Sequence, residues 1–310
     1  MNLLSHDFRP SGPYGVLLTP FLEKGRIDEE GLEKELDFML ASDIAGIFPC
    51  ATTGEFISLS PEDNLWVMEK AAAMAKGRKR LVAGVCAASV PGVVRYAKRA
   101  YELGYDAIVL CPPYYITMPQ SEILEFYLQV AKETAYIPMV LYHIPMFTSE
   151  LSLDVFQRLL SVPSIVGLKD SGQNMKRIAH EVDICRRERP DFSILTGTDD
   201  MLVPSLVGGC VGSMTAFSAI LPEANCLIYR LMAEGKVSQA MEVNQSYLKL
   251  LRLADSLTFP AGYKRIFAER GIPMGNQQVV SILGQDAYRD LEKEIRLELL
   301  KVLALTELKG

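Results

Sequence analysis

The sequence predicts a closed (β/α)8 barrel of parallel strands over residues 1–222, with a helical region over 223–310 packed on it. Three observations predict this fold. Short apolar runs of β-forming residues alternate with longer amphipathic stretches from the start of the chain, the rhythm of repeated βα units on a parallel sheet. Eight such runs precede Glu223, the number that a closed barrel needs. The stretch "LLTPFLEKG" in and after the first run holds no G-x-G-x-x-G turn, which a doubly wound sheet for dinucleotides carries at that point.

The predicted strands are, in order, "GVLLTPF" (Gly15 to Phe21), "GIFPC" (Gly46 to Cys50), "LVAGV" (Leu81 to Val85) and "AIVLCP" (Ala107 to Pro112), then "PMVLYHIP" (Pro138 to Pro145), "IVGLK" (Ile165 to Lys169), "SILTG" (Ser193 to Gly197) and "GSMTAF" (Gly212 to Phe217). Helix starts are marked by Asp28 before "EEGLEKELDFML", by Ser60 with Pro61 in the first turn, and by Ser121 before "EILEFYLQVAKE". From Glu223 onward only helical patterns remain: "PEANCLIYRLMAEG", "KVSQAMEVNQSYLKLLRLA" and "AYRDLEKEIRLELLKVLAL". No linker rich in Pro, Gly or Ser separates them from the barrel.

Of the 310 residues, 49% are hydrophobic and 23% charged, enough to bury a large core without disulfides or metal. With 38 acidic against 32 basic side chains the net charge is -6, and the longest basic run is "KGRKR" at Lys76 to Arg80. That balance argues against nucleic acid or an anionic membrane surface as a partner. Six cysteines (Cys50, Cys86, Cys111, Cys185, Cys210, Cys226) form no C-x-x-C pair, and His6, His143 and His180 are the only histidines. Metal-site and disulfide spacings are therefore missing, and reduced thiols in a cytoplasmic protein are expected. The stretch Met201 to Pro222 carries no charge and is long enough to span a bilayer, yet Pro204, Gly208, Gly209 and Gly212 suit a buried helix, turn and strand better.

Chemistry in such a barrel sits where the strands end, and the sixth run delivers Lys169 at its end. Partial desolvation there lowers an amine from its reference pKa of about 10.4 and makes it a nucleophile for a ketone, with a Schiff base as product. A rim lysine also snorkels into water in many proteins, so its neighbours decide. Tyr142 ends the fifth run, one strand over, where a phenol is placed to move protons. After the second run, "CATTGEF" offers the hydroxyls of Thr52 and Thr53 and, with Gly54, successive N–H groups suited to a small carboxylate. A tight turn uses the same residue types.

Five segments in register, "ATTGE", "PPYY", "YHIP", "GLKDSG" and "TGTDD", resemble the dihydrodipicolinate synthase and N-acetylneuraminate lyase family of pyruvate-dependent, Schiff-base-forming class I aldolases. The resemblance covers almost the whole chain. It implies that Lys169 forms the Schiff base, that Tyr142 shuttles protons, and that Thr52 and Thr53 hold the pyruvate carboxylate and relay protons. It also implies that Tyr115 of "PPYY" reaches across a tight-dimer interface into the neighbouring site, within a homotetramer. Gly54, Ser171, Gly197 and Met214 join the implied substrate-binding set. No cofactor is required, because a protonated imine is itself the electron sink.

Two departures from the family pattern bear on the substrate. Dihydrodipicolinate synthases resembling this chain carry an arginine where "YHIPMFT" has Phe147, and an apolar ring cannot hold a carboxylate as a guanidinium does. Asp199 and Asp200 of "GTDD" match a stretch that faces the polyhydroxylated tail of keto-deoxy sugar acids, although the same residues also suit a helix N-cap. A serine that sialic acid lyases usually carry near Ala216 is missing, and His143 stands where relatives often have asparagine and reads as structural. Cys111 and Cys210 read as small core residues. The resemblance thus points to a lyase or aldolase of a 2-keto-3-deoxy sugar acid, with pyruvate as one partner. The alternatives are a keto-deoxy-acid dehydratase, a dihydrodipicolinate synthase, and a non-catalytic keto-acid sensor.

Overall fold

Eight parallel strands pair in chain order and close on themselves as a barrel: β1 (Gly12–Val16), β2 (Gly46–Phe48), β3 (Arg80–Gly84), β4 (Ala107–Leu110), β5 (Met139–His143), β6 (Ile165–Asp170), β7 (Ser193–Thr196) and β8 (Gly212–Thr215). The computed structural model describes residues 7–276, 278 and 285–310; His6 lies outside the described residues. Between successive strands run α1 (Glu29–Leu40), α2 (Pro61–Ala75), α3 (Val90–Leu103), α4 (Gln120–Glu133), α5 (Leu153–Leu159), α6 (Met175–Glu188) and α7 (Leu202–Gly208). After β8 follow α8 (Phe217–Ile220), α9 (Pro222–Ala233), α10 (Val237–Ser246), α11 (Leu248–Asp255), α12 (Ala261–Glu269) and α13 (Gln285–Lys309).

The strands are apolar along their whole length because each is covered on both faces, as parallel sheets require. Val109, Leu110, Leu141, Leu168 and Leu195 are all fully buried. The helix starts follow side-chain capping. Asp28 accepts the Gly31 N–H at 3.1 Å, and Ser60 Oγ accepts that of Asp63 at 3.0 Å. Ser121 is not a cap: α4 begins one residue earlier, with Pro119 before it, and the Gln120 side chain reaches Glu150 O and the Ser152 N–H instead.

The first strand lies earlier than Gly15 to Phe21. Leu17 still donates to Phe48 O at 3.0 Å, but the Leu18 N–H turns to the Glu35 carboxylate at 2.8 Å and that of Phe21 to Met274 O at 2.9 Å. Pro20 has no N–H to give a ladder. The eighth strand stops at Thr215, whose Oγ1 takes the Ser218 N–H at 3.3 Å and so starts a helical turn. The predicted helix from Lys236 to Ala254 is two, α10 and α11, broken at Tyr247; that ring is fully buried 5.2 Å from Phe217, and its hydroxyl accepts from Asn244 at 2.8 Å. The uncharged stretch 201–222 forms α7, a turn, β8 and α8 and is largely buried, as its composition suggests, with Val207 and Val211 exposed around the turn. Among the described residues no helix is long and apolar enough to cross a membrane.

The chain divides into two compact units, one made of the chain up to Gly12 with Lys76–Met214, the other of Pro13–Ala75 with the chain from Thr215 on. The first has strands β3 to β7 paired in order, Gly84 beside Val109, Leu110 beside Leu141, Leu168 beside Leu141 and Ile194, with one register shift between β5 and β6 at Met139 and Val140. The second packs Leu32 and Leu36 of α1 in a core that also includes Phe48, Phe217 and Phe267, all fully buried.

Replacing Asp28 by Ala is expected to cost about 1 kcal/mol of unfolding free energy, with Asp28→Asn nearly neutral, in urea or thermal melts. Equal losses in both variants would show that the carboxylate acts through something other than the cap.

Candidate active site

Side chains alternate across a strand, so consecutive residues at the end of β6 face opposite ways. Lys169 is 4% exposed, and its Nζ sits 4.1 Å from the centroid of the Tyr142 ring, its partner in the β5–β6 register. Burial pulls the amine from its ordinary value down to about 7; Cys86, Asp199 and Cys111 support the ammonium form and offset part of that. A substantial fraction of the amine is then neutral and nucleophilic at neutral pH.

Asp170 turns the other way, toward α6. Its carboxylate accepts the Gly172 N–H at 2.7 Å and Arg177 Nε at 3.2 Å. The same guanidinium reaches Glu181 at 2.7 Å, Glu150 at 3.0 Å and Leu151 O at 2.6 Å. Burial raises both Asp170 and Glu181, Asp170 raises Glu181 further, and the Arg177 guanidinium opposes the rise in each. His143, beside Asp170 in the register, is pushed down to about 3 by burial and by Arg177; it is a neutral ring whose Nε2 lies 3.9 Å from the Asp170 oxygen, not half of an ion pair. This cluster fixes the ends of β5 and β6, which carry Tyr142 and Lys169. Sequence reading missed it, although Arg177 and Glu181 stand at i, i+4 on α6, a spacing that puts them on one face.

Across from the amine stands Gly197. A methyl group built there would lie 2.8 Å from Lys169 Cε and 1.9 Å from Ser171 Oγ, so the position has room for no side chain. Its N–H donates to Asp170 O at 2.7 Å, and that of Ser171 to His143 O at 2.8 Å, which knits the ends of the three strands together. The two aspartates of "GTDD" separate. Asp199 is 7% exposed and acts on Lys169 electrostatically, whereas Asp200 is exposed. The N-cap position of α7 falls on Met201, not on either aspartate, and Met201 makes no side-chain capping bond. Met214 is fully buried on β8.

The loops after β4 and β5 are tied by an antiparallel bridge between Tyr114 and Thr148. Beyond it Tyr115 is 99% exposed with a left-handed φ of 77°, and Phe147 is 54% exposed. Arg177, seven residues beyond Asp170, is committed to the carboxylates on α6 and the loop before α5.

In the second unit, Thr52 and Thr53 lie partly exposed on a single 3-10 turn after β2. Gly54 is buried because a Cβ there would meet Leu17 O at 2.7 Å, and its carbonyl accepts from Thr19 Oγ1 at 2.7 Å. The Gly54 N–H already donates to Ala51 O at 3.0 Å. Glu55 follows with a left-handed φ of 59°; its carboxylate is buried against Lys264 of α12 and takes the Gln278 N–H at 2.7 Å. This ion pair, which sequence reading also missed, anchors the turn that carries the threonines. Among the described residues no group of three or more His, Cys, Asp or Glu side chains is placed to hold a metal ion.

A barrel with a desolvated lysine at its strand ends defines an enzyme of the class I lyase and aldolase type. Residues 9–297 match the Dihydrodipicolinate synthetase family, and the chain belongs to that family. It is 30% identical over 289 residues to a DapA-like lyase of Thermococcus kodakarensis, itself uncharacterised, across 93% of this chain and 98% of that protein. The 4-hydroxy-tetrahydrodipicolinate synthase of Methylacidiphilum fumariolicum superposes with a TM-score of 0.89 at 28% identity, covering 97% of this chain and 99% of the other. CdNal from Clostridium difficile, solved in complex with mannosamine, gives a TM-score of 0.87 at 25% identity over 94% of this chain and 100% of that one.

Burying Lys169 makes stability depend on pH in a definite direction. The folded amine releases its proton near 7 and the unfolded one near 10.4, so between those values the unfolded chain holds more protons and stability rises with pH. Below about pH 7 the penalty is complete, on the order of 5 kcal/mol. Lys169→Met is therefore expected to raise the melting temperature most at pH 6 and progressively less toward pH 10, measured against wild type in matched buffers. A pH-independent difference would contradict the buried amine. Gly197→Ala is expected to displace Lys169 and lower turnover on the order of 10²-fold with little change in far-UV circular dichroism; wild-type rates would show that the gap is not needed.

Proposed function

We propose that this chain is a Schiff-base lyase that cleaves or forms a 2-keto-3-deoxy sugar acid with pyruvate as one partner. The observation that carries the reading is the amine of Lys169, buried at a strand end and lowered to about 7. The amine adds to the keto carbon, and the carbinolamine loses water to give a protonated imine. In the cleavage direction the bond between the third and fourth carbons breaks, its electrons pass into the imine, and an aldehyde leaves. Protonation of the resulting enamine and hydrolysis then release pyruvate and free the lysine. Tyr142, whose ring contacts the amine, moves protons to and from the carbinolamine and the leaving oxygen. Thr52 and Thr53 hold the pyruvate carboxylate, with Ser171, Gly197 and Met214 lining the site.

Two features support a sugar acid as substrate. Phe147 is a partly exposed ring at the position where a carboxylate-binding arginine stands in dihydrodipicolinate synthases, and Asp199 is a buried acceptor near the amine. The structural neighbour that binds mannosamine is a further support, since its ligand is polyhydroxylated. The relatives named 4-hydroxy-tetrahydrodipicolinate synthase favour condensation with an aldehyde acid as the second reading. The same proposal takes residues 1–222 as the catalytic barrel with a helical region over 223–310, in a cytoplasmic homotetramer where the exposed Tyr115 enters a neighbouring site.

Incubation with pyruvate followed by borohydride is expected to add a stable mass to Lys169, and Lys169→Ala to abolish both the adduct and turnover. A panel of keto-deoxy acids then separates the readings. Release of free pyruvate supports the lyase, a dicarbonyl acid without chain cleavage supports a dehydratase, and efficient condensation of pyruvate with aspartate semialdehyde supports the synthase. Labelling at a different lysine would remove Lys169 from the mechanism.

A further inference from the structure

Cys86 and Cys111 stand just past the ends of β3 and β4. The register pairs Val82 with Ala107, Ala83 with Ile108 and Gly84 with Val109, and carried two residues further it sets the two cysteines directly opposite each other. The backbone confirms the continuation: the Val85 N–H donates to Val109 O at 3.1 Å, and the Cys111 N–H donates to Cys86 Sγ at 3.3 Å. The Cys86 thiol in turn lies 3.8 Å from Val109 O. Neighbouring strands are about 4.8 Å apart, within the Cα separation of about 4.4 to 6.8 Å that a disulfide spans. Both thiols are free and buried, 6% and 3% exposed, and both act electrostatically on Lys169.

We propose that Cys86 and Cys111 are a modification site, a dithiol that hydrogen peroxide or an organic hydroperoxide closes to a disulfide, and that closure changes the reactivity of Lys169. The chemistry balances without a metal or cofactor. The Cys86 thiolate attacks a peroxide oxygen, the O–O bond breaks, and one water (or an alcohol) leaves a sulfenic acid on Cys86. The Cys111 thiol attacks that sulfur, the S–S bond forms as the S–O bond breaks, and a second molecule of water departs. The two thiols lose two protons and two electrons, and the peroxide takes them up.

Burial alone makes a thiol inert. Cys185 and Cys210, buried without a sulfur partner, are pushed up to about 12. Cys86 goes the other way: the Cys111 thiol and N–H bonded to it, and the nearby Lys169, lower it despite its burial. Cys111 is correspondingly raised and keeps its proton. One sulfur is thus set up to attack and the other to resolve. The charged and titratable groups that act on the pair are Lys169, Tyr114 and Tyr127, with Asp199 and Tyr142 beside Lys169; of these, Lys169 alone is a cation. A Cys86 thiolate supports the ammonium form of Lys169, and a disulfide carries no charge to do so. Oxidation therefore leaves the amine neutral to lower pH.

The disulfide itself does not depend on the lyase reading; its consequence for keto-acid chemistry does. The test uses the full chain, reduced or treated with hydrogen peroxide, and reads two things. Peptide mapping is expected to find a Cys86–Cys111 link that dithiothreitol reverses, and a dimedone adduct on Cys86 in Cys111→Ser, where no resolving thiol remains. Competitive pulse acetylation with acetic anhydride follows the Lys169 titration whether or not it forms an imine. Its midpoint is expected to fall by about half a pH unit or more on oxidation and to return on reduction. Oxidation to sulfinic acid without a link, a different cysteine pairing, or an unmoved Lys169 midpoint in the linked protein would each overturn the proposal. Failure of pyruvate trapping on the reduced protein would instead count against the lyase reading and leave both of these measurements intact.

Discussion

Nearly everything distinctive in this protein follows from one constraint: an amine has been placed where water scarcely reaches. An ammonium in that position loses hydration that a strand environment cannot replace, so the proton affinity of Lys169 falls to about 7. The lysine tolerates this because it need not stay charged. Its surroundings are also only moderately supportive of the cation: an aromatic face at 4.1 Å, one buried carboxylate and two thiols.

The alternation of β6 separates reactivity from support. Lys169 faces the Tyr142 ring, and the next residue, Asp170, faces a cluster built from Arg177, Glu181 and Glu150. Buried ionic groups of this kind are weak contributors to net stability, yet removing one partner leaves the others unmatched, which makes the arrangement geometrically strict. The strictness is passed to the backbone, since the Asp170 carbonyl binds the Gly197 N–H and the His143 carbonyl binds that of Ser171. The amine is thereby aimed by groups that never face it.

The turn after β2 is held by the same logic with different residues. Gly54 lies against Leu17 O where no Cβ fits, Glu55 takes a left-handed conformation, and its carboxylate is pinned by Lys264 from a helix more than two hundred residues later in the chain. Each of the two segments thus rests on a glycine at a close approach and a buried ion pair behind it.

The barrel was legible in the sequence because its cause is local: parallel strands covered on both faces must be continuously apolar, and eight such runs can be counted. The lysine at a strand end was legible for the same reason, as was Asp28 as a cap. The limits of the first strand were not, because the Leu18 and Phe21 N–H groups leave the ladder for Glu35 and Met274, partners that periodicity cannot see. Nor did the adjacent letters of "GTDD" reveal that Asp199 is buried near the amine and Asp200 is exposed. The Arg177 cluster, the Glu55–Lys264 pair and the meeting of Cys86 with Cys111 depend on register and on which face each residue takes. Pattern along one chain determines which segments bury themselves; only the packed barrel decides which polar groups are buried together, because desolvation and pairing energies belong to neighbours in space.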